Sequence, residues 1–185
     1  MEAMTVERIH TFTGWYTVNG KRAFLSATGA LTADGLDESV KVDLEHNLGR
    51  YALPKPATGQ DLASAFTTSL GFLKVAPSIV TMPIWAAMYQ AVLTSLKPLN
   101  AVVQIYGPTQ SKKSTIAHLA LSHYGVGFIS GRQYYAPRDW TSTAADIEGT
   151  MFTVKDLPLV IDDFAPQFSS AQESRDIVKR AHYVV

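Results

Sequence analysis

The chain has 185 residues, 16 Lys+Arg against 16 Asp+Glu, and no cysteine. An apolar content of 46% with 17% charged excludes a disordered chain, and the missing thiols exclude a disulfide scaffold, a Cys-ligated metal site and a thiol nucleophile. Zero net charge gives no bulk attraction to nucleic acid or anionic membrane.

Met1 to His10 carries no apolar run behind basic residues, so no secretory signal is expected. The lack of cysteine fits a reducing compartment, and a cytoplasmic location is expected. Two β-prone runs, Gly14 to Val18 and Lys21 to Leu25, flank Asn19-Gly20, a strong hairpin signal. Gly29 and Asp34-Gly35 mark further turns, and Val40 to Leu44 alternates like a half-buried strand. Trp15, Tyr16 and Phe24 suit either a ligand platform or the core of a small β-domain; the core reading is preferred. Leu53-Pro54-Lys55-Pro56 reads as a linker, giving a β-rich unit over 1–56.

Residues 57–100 read as a helical segment. Leu62, Phe66, Leu70 and Leu73 mark one face of a helix, with Thr58 as a cap candidate. Ile79 to Leu96 is apolar, but Pro83, Gln90, Thr94 and Ser95 interrupt it, so a buried helix is expected rather than a membrane span. No Asp or Glu occurs between Leu62 and Arg138, while Lys74, Lys97, Lys112, Lys113, Arg132 and Arg138 do. Burial accounts for the first part of that stretch, and an anionic ligand such as phosphate for residues 107–116.

Residues 101–185 carry the chemistry. Ala101 to Tyr106 reads as a buried strand. It runs into Gly107, Pro108, Thr109, Gln110, Ser111, Lys112, Lys113, Ser114 and Thr115, and then into a helix from Ile116 to Tyr124 stopped by Gly125. Strand, Gly-started loop and helix are the context of a phosphate-binding P-loop (Walker A). Its backbone N–H groups and the positive helix end would cradle the phosphates of ATP. Lys113 falls where the β- and γ-phosphates are reached, and Ser114 where a hydroxyl meets Mg²⁺. The pattern wants Gly before that Lys, and Lys112 stands there instead, where a side chain hinders the backbone angles and the phosphate approach.

Leu157 to Ile161 reads as a buried strand ending in Asp162-Asp163, 49 positions after Lys113 at Asp162. An apolar strand with an acidic pair is the Walker B pattern. Asp162 would hold Mg²⁺ through its water shell, and Asp163 would polarise the attacking water, with a reach one methylene shorter than Glu. The bland reading is a strand followed by a helix cap at Asp163 or Ser169. His118 and His123 are expected at the surface or partly packed rather than on a metal. Arg132, Tyr134, Tyr135 and Arg138 interleave basic and aromatic groups, most simply as a solvated loop. Trp140 to Thr143 precede a capped helix beginning at Ala144.

These features resemble the P-loop ATPase family catalogued as domain of unknown function nine-twenty-seven, whose members are helicase-like proteins of prophages and mobile elements. The likeness spans about residues 10–183. It rests on His10-Thr11 with Gly14-Trp15, Arg50 to Pro54, the loop at Tyr106 to Thr109, Tyr124-Gly125, Trp140 to Glu148 and Leu159 to Asp163. The resemblance implies ATP-driven work on DNA replication by a homo-oligomeric ring, with no membrane role. It carries over Lys113, Ser114 and Asp162; Lys112 and Asp163 depart from the family's Gly and Glu. The expected fold is α/β, a P-loop NTPase core behind the β-rich and helical parts. Helicase-like ATPases also place a sensor strand, a fifth strand and an arginine finger after Walker B. Here one helix and the start of a strand at His182 to Val185 follow, so the core is expected to be partial. The alternatives are a nucleotide-binding or switch module without DNA-directed activity, and an inactive remnant.

Overall fold

Asn19 and Gly20 both take positive φ, 49° and 79°. That is the geometry of a type I′ turn, whose twist matches the strands it joins. Strands β1 (Ile9–His10), β2 (Gly14–Val18), β3 (Lys21–Ser26), β4 (Gly29–Thr32), β5 (Gly35–Asp37) and β6 (Lys41–Val42) fill the N-terminal third. Strands β2 to β5 form an antiparallel meander in sequence order, with Trp15 opposite Phe24 and Leu31 opposite Phe24 on the other side. β1 and β6 pair in parallel. The computed structural model describes residues 7–99, 101–129, 136–164 and 171–184.

Helices α1 (Gly59–Gly71) and α2 (Ser78–Ala91) follow, then α3 (Lys113–Leu121), β7 (Arg138–Asp139), α4 (Ala144–Thr153), β8 (Ile161–Asp162) and α5 (Ala171–Val184). β7 and β8 are a parallel pair. α4 starts as expected, with the Thr143 hydroxyl accepting from Asp146 N–H at 3.1 Å. Thr58 precedes α1 without a side-chain capping bond. α3 is continued by a 3-10 turn over Ser122–Tyr124 and ends at Gly125, where a Cβ would lie 2.0 Å from the Arg50 carbonyl oxygen.

One core draws on all three parts of the chain, from Phe24, Leu48 and Tyr51 through Phe72 and Met88 to Leu121, Phe128 and Leu157. Tyr51 is its hub. It is fully buried, packs edge-on against Phe128 with ring centroids 4.8 Å apart, and donates its hydroxyl to Pro158 O at 2.8 Å. Trp15 packs edge-on against Phe24 and donates Nε1–H to Val92 O at 2.8 Å, so these aromatics serve the core.

Four expectations need correction. Residues 101–106 form no strand and are mostly exposed, Val102 at 66% and Tyr106 at 89%; only Ile105 packs against the core. A strand needs partners for its N–H and C=O groups, and β7 and β8 pair only with each other among the described strands. The strand expected over 157–161 shrinks to Ile161–Asp162 for the same reason. The apolar segment after Ile79 is half-buried: α2 turns Thr81, Ile84 and Met88 inward and leaves Ile79 and Met82 in solvent. His182 to Val184 continue α5 as helix instead of starting a strand. No described helix is long and apolar enough to cross a membrane. Arg132, Tyr134, Tyr135 and Ser169 lie outside the described residues.

Candidate functional site

Gly107 to Lys112 form an exposed turn that delivers the chain into α3 at Lys113. Lys112 sits at the helix N-cap with φ 64° and ψ 21°, and Gln110 has φ 67°. Left-handed backbone at a residue with a Cβ costs about 1–2 kcal/mol, so the position that the P-loop pattern reserves for Gly is strained here by its conformation. No side chain caps the start of α3. Its first N–H groups therefore lack the intrahelical acceptors that later turns enjoy and face an anion-friendly helix end.

The Lys113 ammonium folds back over this turn. It donates to the carbonyls of Gly107 at 3.0 Å and Pro108 at 2.8 Å, and lies 3.5 Å from Ser111 Oγ. One cation thus holds the loop's entry closed around itself. Thr109, Ser114 and Thr115 are exposed beside it.

Asp162 ends β8. Its Oδ1 accepts from Asp163 N–H at 2.9 Å, and its carbonyl accepts from Trp140 N–H at 3.1 Å. Asp163 takes φ 57° and is exposed. His118 lies on α3, four residues after Ser114. His118 is fully buried, which corrects the expectation of a surface or partly packed side chain. Burial holds its imidazole below the usual pKa, the Arg50 charge pushes the same way, and the Asp162 carboxylate pulls against both. The spacing from Ser114 to His118 was visible in the sequence; the burial of His118 was not.

Asp139 was not anticipated. It ends β7 in register with Asp162, so two carboxylates close two parallel strands at the end where ligands of open α/β sheets bind. Its Oδ1 accepts from Thr141 N–H at 2.8 Å, Ser142 N–H at 3.1 Å and the Thr141 hydroxyl. These bonds hold its carboxyl below the ordinary range, the Thr141 hydroxyl most of all. Asp139 is thus committed to its turn. Among the described residues no cluster of three or more His, Cys, Asp or Glu could hold a metal by itself. Ser114 and Asp162 each carry a hard oxygen donor of the kind Mg²⁺ takes.

Away from this turn, an apolar cavity of about 650 Å³ opens between the meander and α2. Phe24, Leu31, Met88 and Val92 line it, with Arg22 contributing charge. Beside it, His123 bonds through Nδ1 to Ala120 O at 2.9 Å and through Nε2 to Ser69 Oγ at 2.9 Å. The carbonyl accepts, so Nδ1 carries the proton and Nε2 accepts from Ser69. Ser69 in turn accepts from Trp85 Nε1–H at 3.1 Å and from the Tyr89 hydroxyl at 2.8 Å. All hydrogen-bonding capacity of that hydroxyl is used, so it braces α1, α2 and α3 and is not a nucleophile.

Mixed α/β architecture, with small sheets and five α-helices among the described residues, is the class to which these elements belong. The chain is a member of the family described as domain of unknown function (DUF927), which matches it over residues 6–178. No curated protein and no solved structure matches the chain.

Proposed function

We propose that the turn Gly107 to Thr115 binds Mg²⁺-ATP, and that the protein is the ATP-binding, helicase-like ATPase region of a mobile-element DNA replication protein. The observation that carries the nucleotide reading is the Lys113 ammonium gathered over a turn that opens directly into an uncapped helix start. The P-loop NTPase core, the DNA substrate, the ring assembly and the prophage setting rest on the family resemblance.

In this reading Lys113 releases the Gly107 and Pro108 carbonyls and moves its charge to the phosphates. The loop amides and the start of α3 take the phosphate oxygens. Ser114 and Asp162 would hold Mg²⁺, which would supply positive charge against that of the phosphates. Calorimetry of the chain with Mg²⁺-ATP is expected to give weak binding that Lys113→Ala abolishes. Unchanged affinity in that variant would sink the assignment.

A second reading, nucleotide binding without turnover, has its own observation. Asp163 is exposed, Arg138 donates to Pro137 O at 2.9 Å, and Arg180 donates to Trp140 O. Both arginines are thereby tied to carbonyls, and an arginine finger is worth roughly 10³–10⁵ in rate. Residues 1–185 are expected to release negligible phosphate, with or without single-stranded DNA. Robust DNA-stimulated release that is lost in Asp162→Ala would return the protein to the full ATPase reading.

A further inference from the structure

Helix α1 is a helix without a partner along most of its length. Ser69 is its only buried residue. Leu62, Phe66 and Leu70 recur every fourth position and are 56%, 51% and 36% exposed. They form a stripe about 12 Å long at 1.5 Å rise per residue. The chain enters this helix through residues 54–58, which are extended and exposed. The same molecule carries an open apolar cavity of about 650 Å³, and no residue of α1 lines it. The Ser69 bonds to Trp85, Tyr89 and His123 hold the C-terminal end of α1 beside the cavity, which Tyr89 and His123 line. The stripe of one chain stays outside its own cavity.

We infer that the stripe of α1 docks into the cavity of a second copy of this chain. Two features select that occupant. The stripe is an apolar ridge and the cavity an apolar hollow, both on one molecule, which is the condition for self-association through unlike surfaces. Their charges also match. Asp61 stands next to Leu62 in the first turn of α1, and it is the last acidic residue before Asp139. Arg22 stands at the cavity, its guanidinium 4.8 Å above the Trp15 ring with one Nη donating to Ser95 Oγ at 3.1 Å. A guanidinium has five N–H donors, which leaves several to meet Asp61 of the incoming helix. Phe66 and Leu62 meet the half-buried Leu31, Leu53 and Val92 of the cavity wall. A reciprocal exchange closes a dimer, and a one-way exchange builds a ring or a filament. The inference stands apart from the nucleotide reading, since no residue of the 107–115 turn takes part.

Light scattering on the full chain at roughly 100 µM, a concentration that populates contacts of micromolar affinity, tests it. The expected mass is two copies or more. Phe66→Glu, at an exposed position, is expected to leave the melting curve unchanged and to weaken association at least about tenfold, as for a central apolar anchor. Asp61→Arg and Arg22→Asp are each expected to weaken association, and the two together to restore it. A monomeric wild-type chain at that concentration overturns the inference. So does a Phe66→Glu chain that associates as tightly as wild type, or a charge exchange that restores nothing.

Discussion

The surroundings of Tyr51 and the segment 101–106 have similar apolar content, and the protein uses them in opposite ways. The Tyr51 ring packs on Phe128, its hydroxyl donates to Pro158 O, and its backbone carbonyl accepts from Ala27 N–H at 2.8 Å, so three distant stretches meet at one residue. Val102, Val103 and Tyr106 stay in solvent. Burial in this molecule follows the availability of backbone partners more closely than side-chain hydrophobicity. Where β2 to β6 and the helices satisfy the main chain, aromatics go inside; where no ladder is offered, Val102, Val103 and Tyr106 remain outside. Stability is thus stored in the joint between the meander and residues 120–158. The segment before the candidate phosphate loop is held by little more than Ile105.

Substitution measures that difference most directly at Tyr51. Tyr51→Ala is expected to cost about 3–5 kcal/mol, while Val102→Ser stays within about 0.5 kcal/mol. Urea unfolding of the pair checks both, and similar losses would erase the contrast. Ser69→Ala comes next. It strips a partner from Trp85, Tyr89 and His123 at once and is expected to cost about 1–3 kcal/mol. If the urea midpoint barely moves, α1 is not braced by this hydroxyl. Lys112→Gly is expected to do the reverse. Relief of the left-handed backbone gains about 1–2 kcal/mol, offset by about 0.5–1 kcal/mol of added chain entropy. A small net stabilisation should accompany tighter binding of a fluorescent ATP analogue. Weaker binding would show that the Lys112 charge contributes more than its conformation costs.

A slope rather than a step is expected from His118. Its folded pKa lies below its unfolded value, so its contribution to stability is complete above about pH 6.5 and is lost as pH falls toward the folded pKa. His10, lowered by burial and then by Arg8, acts in the same direction. Chemical denaturation between about pH 7 and pH 5 should show a shallower decline for His118→Leu than for wild type. Equal declines would assign the acid sensitivity elsewhere.

Local chemistry explains which parts of the fold could be read in advance. Asn19-Gly20 fixes a hairpin by itself, Thr143 caps α4 by itself, and Gly125 ends its helix because nothing larger fits beside Arg50. Those signals act within a few residues. The candidate site was legible as a loop and a helix start for the same reason, and Lys112 was picked out at the position that proves to be left-handed. The strand before the loop and the full strand before Asp162 were misjudged because strand formation depends on a neighbour that no local pattern supplies. His118 was misjudged because its burial is set by the packing of the whole fold, which no spacing within α3 announces. The exposure of α1 shows the same limit: its periodicity announces a face without saying what the face meets.

Thr13 donates its N–H to Thr153 O at 2.8 Å and its hydroxyl to Lys155 O at 2.9 Å, and Trp15 N–H reaches the Asp156 carboxylate at 3.0 Å. These clasps span about 140 residues, so they have a meaning for the order in which the protein is made. A ribosome adds about 5–20 residues per second, and the first strands therefore wait on the order of ten seconds for the partners that anchor them. During that interval Trp15, Phe24 and Tyr51 have emerged without Val92, Phe128 and Pro158. The nascent meander is then a half-built surface, and chaperone capture of arrested chains should peak before Pro158 has emerged and fall once it has.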